Sequence, residues 1–161
     1  MRARVRGSGV RRFEALKLAA VRRTLASKPD ELGATLQKME RKGKDVLRCA
    51  AVIGIVLKRV PGAKGNFMPE WEDMCAVACA MQNLHLQLTA EGYCGYWSSG
   101  GVDGWADDAE VRAAVGAGAG DAEQRDRILG WFHVGCSDAA ERYKAKRDPI
   151  TAKVTWLVDT E

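Results

Sequence analysis

The chain has 161 residues, 47% of them hydrophobic, with a net charge of +4. That supports one buried core and excludes a disordered tail. The longest apolar run, "CAAVIGIVL" at 49–57, falls well short of the roughly 18 residues of a membrane span, so no membrane partner is expected.

The charge is uneven, because residues 1–28 hold nine Lys and Arg against one acid, Glu14. A nucleic-acid arm, a transit peptide and a solvated helix face all fit that composition, the last most commonly. The usual nucleic-acid-binding motifs are absent, so no nucleic-acid partner is expected. Five cysteines form no CxxC pair and no regular framework. Cys75 and Cys79 are four apart on a predicted helix, a spacing open to a metal pair but commoner for two small buried thiols in a reducing, cytoplasmic setting. No metal site is expected. His85 and His133 share no ligand spacing and read as packed or surface residues.

Val10 to Ser27 places Phe13, Leu16, Leu18, Ala20, Val21 and Leu25 at helical spacing. Ser27-Lys28-Pro29-Asp30 stops that helix, and Asp30 is placed to cap the next, which runs to about Arg41 and ends at Gly43. After a short turn through Val46 and Leu47, "AAVIGIV" reads as a strand covered on both faces, and "PGAKGN" at 61–66 as a loop. Pro69 to Glu91 is the longest helical signal. Pro69 suits the first turn, Glu70, Glu72 and Asp73 suit the positive end of the dipole, and Gly92 suits a stop. Its middle, "MCAVACAM", is apolar nearly all round, which predicts a helix buried on most sides, in the core of the fold and at a dimer interface, and an unpaired charge at Ala78 as severely destabilising.

"GYWSS" follows as a short strand, "ADDAEVRAAV" at 106–115 as a helix, "GAGAGDAEQ" at 116–124 as a surface loop and "ILGWFHVG" at 128–135 as a buried strand. Basic "RYKAKRDPI" and apolar "AKVTWLV" close the chain. No internal repeat appears. Strands and helices in this order predict an α+β layered domain over 1–161.

Three stretches in this order, "MPEWEDMCAVACAMQNLHLQLTAEGYCGYWSSG", "RDRILGWFHVG" and "KAKRDPITAKVTW", resemble the FMN-dependent nitroreductase family. "LASKPDELGATLQKMERKGKDVLRCAAVIGIV" resembles the helices and strand that precede them. The resemblance implies a layered fold with a central, mostly antiparallel sheet and a long buried central helix. It also implies a homodimer with FMN at the subunit interface, and electron transfer from NAD(P)H through the flavin to a nitro compound, quinone or similar small acceptor. The chemistry then belongs to the cofactor, and no catalytic side chain is required. By the same resemblance Trp97, Ser98, Ser99 and Gly100 lie along the flavin ring, where backbone N–H groups meet the charge that builds on reduction. Arg147 in "KRDPI" meets the FMN phosphate. Gln87, Leu88, Thr89, Ala90, Glu91 and Gly92 match a helix end assigned to the nicotinamide nucleotide, although a helix C-terminus offers nothing to a pyrophosphate.

The chain departs from the family at its start. The Arg-Arg-Ser-x-Arg phosphate motif and the Gln-Pro-Trp stretch are absent, which leaves an N-terminally shortened version of the fold. Residues 1–9 are expected to be a strand remnant ending at Val5 and a turn at Gly7-Ser8-Gly9. Residues 138–161 are expected to form the tail. A non-catalytic, dimerising remnant that no longer binds FMN is the alternative.

Overall fold

The computed structural model describes residues 8–100, 104–118, 120, 124–137 and 146–155. Helices α1 (Ser8–Thr24) and α2 (Pro29–Val46) precede strand β1 (Ala51–Leu57). Helix α3 (Glu70–Ala90), strand β2 (Cys94–Ser98), a 3-10 turn (Trp105–Asp107), helix α4 (Ala109–Ala114), strand β3 (Arg127–Gly135) and a second 3-10 turn (Ile150–Ala152) follow. The three strands form one antiparallel sheet in the order β1-β3-β2. This is the expected α+β arrangement.

Alternation along β3 divides the core. Trp131 faces one side, joining Ala20, Val21 and Leu25 at α1, Met39 of α2, Trp105 and Val111 of α4. Phe132 and Val134 join Ile55 and Met81 of α3 on the other cluster. The sheet therefore lies between an α1–α2–α4 layer and α3. Ile55 pairs with Gly130 and Val56 with Ile128, so Leu129 is the extra residue of a bulge. Gly130 adopts φ +140°, and a Cβ there would stand 2.6 Å from Ser98 O and from Trp97 Nε1. Only glycine lets β2 close on β3 at that point.

Polar ties fix the ends. Asp108 caps α4, accepting from Glu110 N at 3.0 Å and Val111 N at 3.3 Å, and pairs with Arg23 at the end of α1 at 2.7 Å. Asp126 accepts from Lys58 Nζ at 2.8 Å, Arg59 N at 2.9 Å and Gly118 N at 2.6 Å. Arg59 also pairs with Asp73, and Arg127 with Glu70 at 3.0 Å, which anchors the start of α3 to the sheet.

Several expectations are corrected. The turn expected at Gly7-Ser8-Gly9 is helix from Ser8 onward; Val5 and Gly7 lie outside the described residues. Helix α2 starts at Pro29 with Lys28 as its cap. Proline fixes φ for a first helical residue, so Asp30 falls inside the first turn and serves the dipole instead. The same helix runs through Gly43 to Val46. Gly43 lets α1 approach, since a Cβ there would meet Glu14 Oε2 at 3.2 Å. Strand β1 is an edge strand, and Ile53 is 37% exposed. Parts of the 116–124 loop (residues 119 and 121–123) and of the tail (138–145 and 156–161) lie outside the described residues.

The largest correction concerns α3. Met81 is its one buried residue, with Val77, Leu84 and Leu88 half-buried against the sheet. Its outer face, with Met74, Cys75, Ala78, Cys79 and Leu86, is exposed within the chain. One sheet covers one side of a helix only, so Cys75 and Cys79 are not buried thiols here. No helix among the described residues is long and apolar enough to cross a membrane.

Two expected outcomes follow from this packing. Phe132→Ala should cost about 3–5 kcal/mol, whereas Ala78→Asp should cost a monomeric chain less than about 0.5 kcal/mol. Urea titrations of both variants at low protein concentration separate the two sites, and a large Ala78→Asp loss there would contradict the exposed face.

The second outcome is acid sensitivity. Hydrogen bonding from Arg23 holds Asp108 below its ordinary value of 3.8. Burial alone would raise Asp126, but Lys58 and the N–H groups of Gly118 and Arg59 outweigh it and hold that carboxyl low as well. Folded values below unfolded ones stabilise the protein above the unfolded value, and that contribution is lost as pH falls through the folded value. The unfolding free energy should therefore hold down to about pH 5 and drop below about pH 4. Asp126→Asn should give a shallower acid slope, measured by denaturant titration across pH.

Candidate functional site

The Trp97–Gly100 segment is held in place by its own contacts. Among the described residues strand β2 pairs with β3 on one edge only, so alternate backbone N–H and C=O groups on the other edge face away from that sheet. Trp97 pairs with Phe132 across the ladder and donates its Nε1–H to Leu129 O at 3.2 Å. That bond holds the indole against the bulge and leaves it 37% exposed. A Cβ at Gly95 would overlap the Phe132 ring, so glycine is what admits that ring beneath β2.

Beyond β2 the chain turns at Gly100, with φ +96°. The Gly100 N–H donates to Ser98 Oγ at 3.1 Å. This amide is therefore already used, and among the four segment residues Ser99 is the exposed one with a short side chain. Gly100 lies against Trp105, to whose ring a Cβ would stand at 2.7 Å. Trp105 stacks on Trp131 with centroids 5.0 Å apart and planes at 18°. The turn is thus seated on the aromatic core of the α1 side. Requirements at Gly95 and Gly130 escaped the sequence reading, because the rings they admit lie far along the chain or across the ladder.

The other expected residues make no hydrogen bond or ion pair with this segment among the described residues. Arg147 lies in the extended stretch before the Ile150–Ala152 turn and is exposed. No hydrogen bond or ion pair joins it to the Trp97–Gly100 segment among the described residues. At the end of α3, Gln87 Nε2 donates to Glu91 Oε1 at 3.1 Å and Thr89 Oγ1 donates to His85 O at 2.8 Å. Gly92 N bonds to Thr89 O at 3.0 Å and Tyr93 N to Leu88 O at 2.8 Å, with Gly92 at φ +80°. This is a closed helix stop, in which Leu88 faces the core and Ala90 is exposed. Its polar groups are turned toward one another.

The two histidines are packing residues, as the sequence suggested. His85 stands edge-on to Phe132 at 5.3 Å. His133 is half-buried, 6.3 Å from Tyr96 in a stacked arrangement, and its Nδ1 is buried without a partner. Burial, and secondarily the Lys17 charge, push its pKa down. A cavity of about 620 Å³ lies between α1 and α2, lined by Leu18, Leu36 and Met39 together with Arg22 and Lys44.

Gly100→Ala should be destabilising by about 1–3 kcal/mol, because it combines a left-handed backbone with a clash against Trp105. Near-UV circular dichroism should lose Trp105–Trp131 signal with it. A variant of unchanged melting temperature and spectrum would show the turn free to rebuild.

No protein-family model matches the chain. Over 96 residues it is 31% identical to the Haemophilus influenzae protein named "Putative NAD(P)H nitroreductase", a match covering 59% of this chain and 47% of that protein. The chain thus spans about half the length of that curated relative. The crystal structure of a nitroreductase-like family protein from Bacillus cereus superposes with a TM-score of 0.58 at 26% identity, over 89% of this chain and 67% of that one. The FMN and NADPH-dependent nitroreductase NfnB from Sphigopyxis sp. strain HMH superposes with a TM-score of 0.49 at 18% identity, over 88% and 57%.

Proposed function

We propose that this chain, which is similar to a curated nitroreductase and to a solved nitroreductase-like protein, is an FMN-dependent oxidoreductase passing electrons from NAD(P)H to nitro compounds, quinones or similar small acceptors. The observation that carries the proposal is the open edge of β2 running into the Ser98–Gly100 turn. Bound there, FMN would supply the redox chemistry.

The residues present fit a flat ring in part. Among the described residues nothing pairs with the outer edge of β2, Ser99 is small and exposed, and no side chain projects from Gly100. The Gly100 amide is committed to Ser98 Oγ, so the donor toward the ring has to come from Ser99 or from the free edge of β2. Trp97, tied to Leu129 O, fixes the direction in which that edge faces. Arg147, exposed and without an ion pair among the described residues, is assigned to the phosphate, for which a guanidinium is well shaped. Gln87 to Gly92 are given to the nicotinamide nucleotide on resemblance alone, since their polar groups bond to one another.

The exposed outer face of α3 supports a homodimer. Trp71, Met74 and Leu86 stand open there beside Cys75, Ala78 and Cys79, and apolar patches of this kind mark interaction sites. The same face favours the second reading, a dimerising protein that keeps the assembly surface without the cofactor.

The test is a flavin titration. Protein purified with FMN should carry flavin absorption bands that co-elute with a dimer. Arg147→Ala should weaken FMN binding about ten- to a hundredfold, the loss of one charge-assisted contact, and leave riboflavin binding unchanged. Equal losses for both flavins would take Arg147 out of the phosphate role. A dimer that binds neither flavin would establish the second reading.

A further inference from the structure

Behind the Gly100 turn, on the side of α1 and α2, lies a second and much smaller cavity of about 80 Å³. Glu14 and Lys17 reach it from α1, Thr35, Lys38 and Lys42 from α2, and Gly100 closes it. Three lysines therefore line a space with room for roughly two or three waters. Lys38 and Lys42 stand four residues apart on one helix, a like-charge spacing that destabilises the helix on its own. None of the three lysines has a hydrogen bond or a carboxylate at ion-pair distance among the described residues. Burial, opposed by Glu14 and assisted by the charge of Lys42, pushes the Lys17 pKa down, as crowding by a second cation requires.

Two further groups at this place lack partners. Glu14, the one acid lining the cavity, has its Oε1 buried without a hydrogen bond. Trp105, 1% exposed and packed on Gly100, has its Nε1–H buried without an acceptor. Lys17 Nζ stands 5.6 Å from the Trp105 ring centroid. Three cations against one acid, with an indole donor beside them, form a set that lacks an anion.

We propose that this cavity binds a phosphate group, held by the ammonium groups of Lys17, Lys38 and Lys42 and by the Thr35 hydroxyl. Its volume suits one tetrahedral oxyanion and excludes a sugar or an aromatic ring. Ammonium groups act there as point charges around a compact anion. The phosphate is either free inorganic phosphate or a phosphomonoester presented by a nucleotide, such as the 2′-phosphate of NADP+. The site does not depend on whether the chain holds a flavin.

Calorimetric titration at low ionic strength tests it, with inorganic phosphate, NADP+ and NAD+ as separate probes. The double variant Lys38→Ala/Lys42→Ala serves as comparison. Both lysines are exposed and alanine keeps the helix, so its melting temperature should match wild type. Phosphate should bind wild type saturably and the double variant at least about tenfold more weakly. Glu14→Gln, which removes the opposing charge, should bind phosphate more tightly, a gain that a purely structural role would not produce. If NADP+ binds about tenfold tighter than NAD+ and the double variant abolishes the difference, the phosphate belongs to the nucleotide. If the two nucleotides bind alike while phosphate binds, the site takes the free ion. The proposal is overturned if neither phosphate binding nor an NADP+ preference is lost in the double variant, or if Glu14→Gln weakens binding.

Discussion

Strand β3 is the constraint on which the other elements depend. It has a partner on both edges, and its successive residues serve opposite layers. Trp131 belongs to the α1 side and Phe132 to the α3 side. A shift of one residue in register would exchange the two rings and empty both clusters at once. The bulge at Leu129–Gly130 is part of that constraint, since it gives Trp97 a carbonyl to hold and β2 room to approach. The candidate segment at 97–100 is therefore aimed by β3, although none of its residues lies on that strand.

Charged ties then set the ends of the layers. Asp126 joins the end of β1 to the Gly118 loop, and Arg59 and Arg127 bring Asp73 and Glu70 of α3 to the same end of the sheet. Exposed pairs such as Lys28–Glu31 add little. Asp126 differs because its own surface is hidden and two of its donors are backbone N–H groups. Removing an acceptor from groups of that kind costs more than the bond itself contributes. Acid should accordingly loosen this end of the sheet.

Most of the fold was legible because its signals are local. Apolar spacing gave α1, the β-branched run gave β1, and acids, proline and glycine bounded α3 to within a residue or two. The errors arose where another element decides. Gly43 looked like a stop, but the helix continues through it to Val46 where α1 packs alongside. Asp30 looked like a cap until Pro29 claimed the first position. At the candidate site Ser99 and Gly100 were named by resemblance, whereas the close approaches at Gly95 and Gly130 were not legible. The bond from Gly100 N to Ser98 Oγ was not legible either, since it depends on a turn geometry with no fixed residue pattern. The lysine cavity was hidden for the same reason as any composite site. Lys17 and Lys38 are remote in the chain, and the visible sign was the unfavourable spacing of Lys38 and Lys42.

Helix α3 carries a more general lesson about apolar composition. A sequence reports that a surface avoids water, not which molecule covers it. "MCAVACAM" has no polar stripe, and that reads as burial on most sides, in the core of the fold and at a dimer interface. Within the chain the sheet covers only the side of Val77, Met81, Leu84 and Leu88. Trp71, Met74 and Leu86 gain nothing from intrachain packing at their exposed surfaces, and small residues between them leave a flat, closely approachable face. Such a face is stable in water only at the cost of apolar exposure, and the hydrophobic term falls as another surface covers it. Within the chain the sheet thus accounts for one side of α3 only, and the other side is the surface that the dimer proposed above would cover.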